Sequence, residues 1–272
     1  MAGVEAVDLH PPDWDRNYGN LDDEEEDEEE VETPLAPILT WSPLGRSNTK
    51  GGRLSCKVLL ISLGPHASAF VTGHQAAPVV GGILLPEADF LECNTVSDPS
   101  CLSSPGGMLS MFQETVILRQ PRLIPDDARS FDWVDTVFRH IAPARVVVLC
   151  TLAEGAYHGV NHAQPPLLRC LRTSHETKTT SVCPSLELPN LIGGTAAAIL
   201  SHCEVFGLAA SMFVSVESLH APLVSVAAFE PVLSTVPLKP NPTANYAALL
   251  NSCQLRRSAL TIKSTLPESI YL

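Results

Sequence analysis

Ser130-Phe131-Asp132-Trp133-Val134-Asp135-Thr136-Val137-Phe138-Arg139-His140-Ile141-Ala142-Pro143-Ala144-Arg145-Val146-Val147-Val148-Leu149-Cys150 holds two structural signals back to back. Phe131, Val134, Val137, Phe138 and Ile141 recur at three- and four-residue spacing, the period of a helix with one apolar face, and Ser130 is a good N-cap. Pro143 stops that helix. Arg145–Cys150 then reads as an uninterrupted apolar run, the mark of a strand buried on both faces. A helix that leads directly into such a strand is the repeating unit of an α/β layered protein.

The same alternation appears on both sides. Val58–Leu63 reads as the first strand and Thr115–Leu118 as a weaker one. Thr195 is placed to cap a helix running to Phe206, with Ile199, Leu200, Cys203 and Phe206 as its inner face and Gly207 as terminator. Ala209–Val216 is a further buried strand, and Asn245–Ser252 a last helix opened by Thr243 after Pro242. Residues 58–86 carry no Lys, Arg, Asp or Glu. Gly64-Pro65, Gly73-His74, Pro78 and Gly81-Gly82 nevertheless cut the stretch into strand-sized pieces, Val58–Leu63, Ala69–Val71 and Ile83–Leu85, so membrane insertion is not expected.

Charge divides the chain. Residues 1–35 hold fourteen acids and one base, which accounts for the whole formal charge of −13; the remaining residues hold sixteen of each sign. Too polar and self-repelling to fold, residues 1–35 are expected to be a disordered acidic arm. Residues 36–56, with Pro37, Pro43, Gly45, Gly51 and Gly52, read as a linker. Residues 57–265 follow as a single α/β domain, large enough to bury a core without disulfide or metal, and 266–272 as a mobile tail. A neutral body with an acidic arm lacks the basic surface that nucleic-acid binding demands. The eight cysteines form no C-x-x-C pair, and several lie in apolar runs, as buried thiols do in a reducing compartment.

Catalytic signatures are missing. Gly193-Gly194-Thr195 at a helix entrance could cradle a phosphate, but it lacks the surrounding P-loop and dinucleotide patterns. His158 and His162 are four apart without the H-E-x-x-H glutamate. No G-x-S-x-G elbow occurs. No cofactor is implied.

The last residues, Leu266-Pro267-Glu268-Ser269-Ile270-Tyr271-Leu272, form an extended end in which an aliphatic residue, a tyrosine and a carboxylate could be captured by a pocket. Ile270-Tyr271-Leu272 resembles the hydrophobic–tyrosine–any motif with which proteasome activators and assembly factors dock on the α-ring. Leu186-Glu187-Leu188-Pro189-Asn190-Leu191, Ala197–Ser201 with Cys203, and Val226 with Ala228–Thr235 resemble the second half of the proteasome assembly chaperone 1 family. Gly64, Ala69-Phe70 and the acidic arm agree with it.

That resemblance implies a three-layer α/β/α sandwich around a mostly parallel or mixed sheet, without catalysis. It implies a heterodimer with proteasome assembly chaperone 2 that gathers proteasome α-type subunits into a ring and prevents wrong ring pairing. Ile270, Tyr271 and Leu272 would be its docking residues. The implied location is the cytoplasm, with endoplasmic-reticulum association. The alternative is a phosphorylase- or hydrolase-like α/β enzyme with a small-molecule site.

Overall fold

In the computed structural model, the described residues are 35–86, 106–120, 124, 127–159, 166–177, 182–218, 220–239, 241 and 243–252. They belong to one compact unit that begins at Leu35. The elements are β1 (Ile38–Trp41), α1 (Pro43–Asn48), β2 (Leu54–Leu63), α2 (Gly64–His74), β3 (Val79–Leu84), β4 (Met108–Phe112), β5 (Thr115–Gln120), α3 (Asp127–His140), β6 (Ile141–Ala153), β7 (Leu168–Arg172), α4 (Gly194–Val205), β8 (Ala209–Glu217) and α5 (Pro222–Ala227). A last helix covers residues 246–252.

The strands form one mixed sheet of order β1-β3-β4-β5-β2-β6-β8-β7. Its centre, β5-β2-β6-β8, is parallel. The outer pairings, β1 on β3, β3 on β4, β4 on β5 and β7 on β8, are antiparallel. Side chains alternate across the central strands. Leu59, Ile61, Val146, Val148 and Cys150 pack with Trp133, Val134 and Val137 of α3 and Ile199 and Cys203 of α4. Leu60, Val147, Leu149 and Phe213 pack on the other face with Phe70 of α2, Val226 of α5, and Phe229 and Val232. With apolar side chains on both faces, the central strands need no polar alternation. The result is the expected α/β/α sandwich.

Residues 36–56 are not a linker. Ile38–Trp41 extends the sheet as an edge strand, with Ile38 opposite Leu84 and Trp41 opposite Gly81. Ser42 caps α1, its Oγ accepting from the Gly45 N–H at 3.2 Å. Gly45 is a close-approach residue, since a Cβ there would lie 2.0 Å from the Val80 carbonyl oxygen. Four strand residues between prolines carry too little periodicity to stand out.

Ala69–Val71, expected as a strand piece, lies inside α2. Gly64 turns the chain out of β2 at φ +81°, and Pro65 occupies the first helical turn, where its missing N–H costs nothing. Nearly every residue of α2 is buried, so the helix has no polar face to reveal its period.

The faces of α3 and α4 also differ from expectation. Phe131 and Phe206 are exposed, and Trp133 is fully buried, its Nε1 donating to the Gly106 carbonyl at 2.6 Å. Ser130 and Thr195 lie inside the helices they were expected to cap, and their buried hydroxyls hydrogen-bond each other at 3.0 Å between the two helices. Gly193 is the N-cap of α4. The Gly207 terminator is as expected. At φ +68° it completes a Schellman turn, with Gly207 N–H donating to Glu204 O and Leu208 N–H to Cys203 O at 2.8 Å. The last helix is capped by Asn245, which accepts from the Ala248 N–H, and not by Thr243.

Candidate functional site

Ligands of open α/β sheets bind beyond the carboxyl ends of the parallel strands, and a cavity of about 300 Å³ lies there. Leu63 of β2, Cys150 and Thr151 of β6 and Gly193, Gly194 and Thr195 at the start of α4 line it. The chemistry it offers is small. Among the described residues its ionisable side chain is Cys150, whose thiol burial pushes up to about 12, so it stays protonated. The Thr195 hydroxyl is engaged by Ser130. The glycine pair opens a helix, as its sequence suggests, but among the described residues no charged side chain lines the cavity.

On the opposite face of the sheet, His66 of α2 is buried with its Nδ1 3.6 Å from Glu217 Oε2. Thr151 Oγ1 donates to the same carboxylate oxygen at 3.2 Å. Burial lowers the His66 pKa, and the Glu217 charge opposes that shift. Ser62 hydrogen-bonds Ser68 at 3.4 Å and not the imidazole. His158 sits after a 3₁₀ turn at Glu154–Ala156, and its backbone N–H donates to Asn190 Oδ1 at 2.7 Å. His162 lies outside the described residues. Among the described residues no group of His, Cys, Asp and Glu could hold a metal ion, and no helix is long and apolar enough to cross a membrane.

The best-built surface feature is the loop from Leu186 to Leu191. Arg169 Nε on β7 donates to both Glu187 carboxylate oxygens, at 2.8 and 3.0 Å. The Tyr157 hydroxyl donates to the same carboxylate, and its ring lies 5.7 Å beneath the guanidinium. Asn190 Nδ2 donates to the carbonyls of His158 and Glu187. Desolvation opposes the Glu187 charge, but the loop's own backbone N–H, Arg169 and Tyr157 together hold its pKa below the usual carboxylate range. Held by these bonds, Leu188 and Leu191 stand 86% and 83% exposed. Large apolar side chains fixed in water on an ordered loop suit a protein partner.

A second apolar surface lies at the C-terminal ends of α3 and α4. Phe138, His202 and Phe206 stack successively at 4.3 and 4.4 Å between ring centroids. They border a groove of about 370 Å³ flanked by Arg53 and Arg139, beside the exposed Val205.

Known proteins resemble this chain in sequence and in fold. The family model designated PAC1, described as proteasome assembly chaperone 4, matches residues 12–257. Proteasome assembly chaperone 1 of Xenopus laevis is 31% identical over 76% of this chain and 76% of its own length. The chain belongs to the proteasome assembly chaperone 1 family. The Homo sapiens member is 25% identical over 81% of this chain and 85% of its own. Among solved structures, a Thermoplasma acidophilum protein of unknown function superposes with a TM-score of 0.59 at 12% identity, covering 81% of this chain and 95% of that one. Pyrococcus furiosus PbaA, an archaeal homolog of proteasome-assembly chaperone, gives 0.52 at 10% identity over 85% and 94%. These two likenesses concern the fold.

In this chaperone family member, Leu186–Leu191, one of the segments that carry the sequence resemblance, is the pinned loop. The sequence carries no sign of its partners Tyr157 and Arg169, and it marks His158 only as a metal-ligand candidate, because each joins the loop only through folding. Ile270, Tyr271 and Leu272 lie outside the described residues.

Proposed function

We propose that this protein is an assembly chaperone for the 20S proteasome that pairs with proteasome assembly chaperone 2 and holds proteasome α-type subunits while their ring forms, preventing wrong ring pairing. Family membership across most of the chain carries this reading. The rigidly presented Leu188 and Leu191 and the aromatic stack ending at Phe206 support binding to proteins. A carboxyl-end cavity whose ionisable lining group is a protonated thiol gives acid–base or nucleophilic catalysis little to work with, which weighs against the phosphorylase- or hydrolase-like alternative. We place the protein in the cytoplasm, with endoplasmic-reticulum association as its family suggests.

In this reading Ile270, Tyr271 and Leu272 dock on the α-ring. Ile270 fills an apolar niche, the Tyr271 ring packs between adjacent α-subunits, and the Leu272 carboxylate pairs with a lysine. One charge-assisted hydrogen bond is worth about 1.5–3 kcal/mol, so the tail binds weakly and the body of the heterodimer supplies the remaining affinity. The test is co-expression with assembly chaperone 2 and α-subunits, followed by co-purification, with and without Tyr271 and Leu272. Truncation should weaken α-ring binding severalfold and leave the heterodimer intact. Absence of co-purification by the full-length chain would refute the chaperone role, whereas equal binding of both forms would refute only the docking tail.

A further inference from the structure

Two of the cysteines are neighbours, although thirteen positions separate them in sequence. Cys170 lies on β7, and the segment from Val182 to Glu187 runs beside it. Cys170 N–H donates to the Pro184 carbonyl and Leu186 N–H to the Cys170 carbonyl, both at 2.9 Å. Cys170 forms a parallel bridge with Ser185, and Cys183, two residues before Ser185, lies in the bend at residues 182 and 183. Cys170 Sγ donates to the Cys183 carbonyl oxygen at 3.5 Å, which sets the two cysteines side by side. Cys170 is buried and Cys183 half-buried, so Cys183 is the more exposed of the two. By contrast, Cys150 and Cys203 are buried at the sheet face packed by α3 and α4.

We propose that Cys170 and Cys183 are a reversible dithiol–disulfide pair whose oxidation fastens the segment leading into the Leu186–Leu191 loop to β7. The oxidant is a small disulfide of the glutathione type. The more exposed Cys183 loses its proton and attacks one oxidant sulfur, which breaks the oxidant's S–S bond and releases a thiolate that takes up a proton. Cys170 then loses its proton and attacks the mixed disulfide at Cys183 Sγ. The protein S–S bond forms, and the second oxidant half leaves as a thiol. The protein pair is oxidised by two electrons and the small disulfide is reduced to two thiols. Forming a bond of about 2.05 Å requires the two side chains to turn toward each other, and the bend at residues 182 and 183 is the segment that moves.

Burial first, and the adjacent Cys170 thiol second, push the Cys183 pKa up to about 12, with Arg172 and Arg169 opposing. The reaction is therefore slow at neutral pH and accelerates by about tenfold per pH unit as the thiolate fraction grows.

The experiment incubates the full-length chain with oxidised glutathione between pH 7 and 9, alkylates residual thiols in denaturant, and maps the peptides by mass spectrometry. The expected product is a Cys170–Cys183 cross-link that reduction reverses, with Cys150 and Cys203 still alkylatable. Cys183→Ser should abolish the cross-link and leave Cys170 reduced. Hydrogen exchange at the Leu186 amide should slow severalfold on oxidation. A stable glutathione adduct on Cys183 with Cys170 still free would overturn the proposal, as would a bond from either residue to another cysteine, or two unreacted thiols at pH 9. Unchanged Leu186 exchange would remove the fastening role.

Discussion

Arg169 and Glu187 lie on opposite sides of a strand-to-loop junction and meet through one guanidinium nitrogen, Nε, which reaches both carboxylate oxygens at 2.8 and 3.0 Å. Tyr157 donates to the same carboxylate from a third segment. The contact converts Leu186–Leu191 from a loose connection into a fixed platform for two exposed leucines.

That platform should depend on pH. The folded-state pKa of Glu187 is depressed. Its contribution is present above the ordinary glutamate value of about 4.3 and is lost as pH falls through the lower folded value. Hydrogen exchange at the Asn190 amide, which donates to the Glu187 carbonyl, should accelerate in that acid range. Glu187→Gln should remove the acid dependence and lower stability by no more than about 1 kcal/mol, since a carboxylate that is 31% exposed is partly screened by water. An identical acid profile in the variant would contradict the assignment.

A different ion pair holds the interior. Arg145 Nε lies 2.6 Å from Glu176 Oε2, and both side chains are almost wholly buried. Arg145 also donates to the Thr235 carbonyl and to Ser211 Oγ. Arg145→Ala strips the guanidinium from a buried carboxylate and should cost about 3–5 kcal/mol in urea unfolding. The double variant Arg145→Met, Glu176→Leu should recover part of that loss. A loss below about 1 kcal/mol for the single variant would mean the pair is solvated.

Gly45 tests whether residues 36–56 belong to the folded body. A methyl group at this position would collide with the backbone of Val80, and backbone yields less readily than a side chain. Gly45→Ala should destabilise the protein by about 1–3 kcal/mol, and Gly155→Ala, at a position with open space around it and an ordinary φ, should not produce that steric loss. A Gly45→Ala protein with unchanged thermal stability would make the segment a linker after all.

Under the proposed role, Leu188→Asp with Leu191→Asp should separate folding from binding. Both side chains are almost free of contacts, so unfolding should shift by about 0.5 kcal/mol or less. Binding to assembly chaperone 2 or to α-subunits should fall at least severalfold if the leucines act as anchors, whose truncation commonly costs over about 1 kcal/mol. Titration of each partner against the two proteins measures this. Wild-type affinity for both would remove the loop from the interface.

The sequence alone determined the layered α/β class and the positions of β2, β6 and β8, because a strand buried on both faces must be apolar at every position. Gly207 was legible for a similar reason, since a positive φ after a helix selects glycine. The direction of each helix face was decided only in the tertiary structure. Phe131 and Trp133 are two positions apart, and periodicity suggested that Phe131 faced inward; packing buried Trp133, whose indole N–H finds the Gly106 carbonyl. Helix α2 was illegible because burial on nearly all sides erases the amphipathic period. The pinned loop and the Cys170–Cys183 contact depended on folding too: their partners come from separate segments, and no local pattern records which distant side chain will arrive to satisfy a carboxylate or meet a thiol.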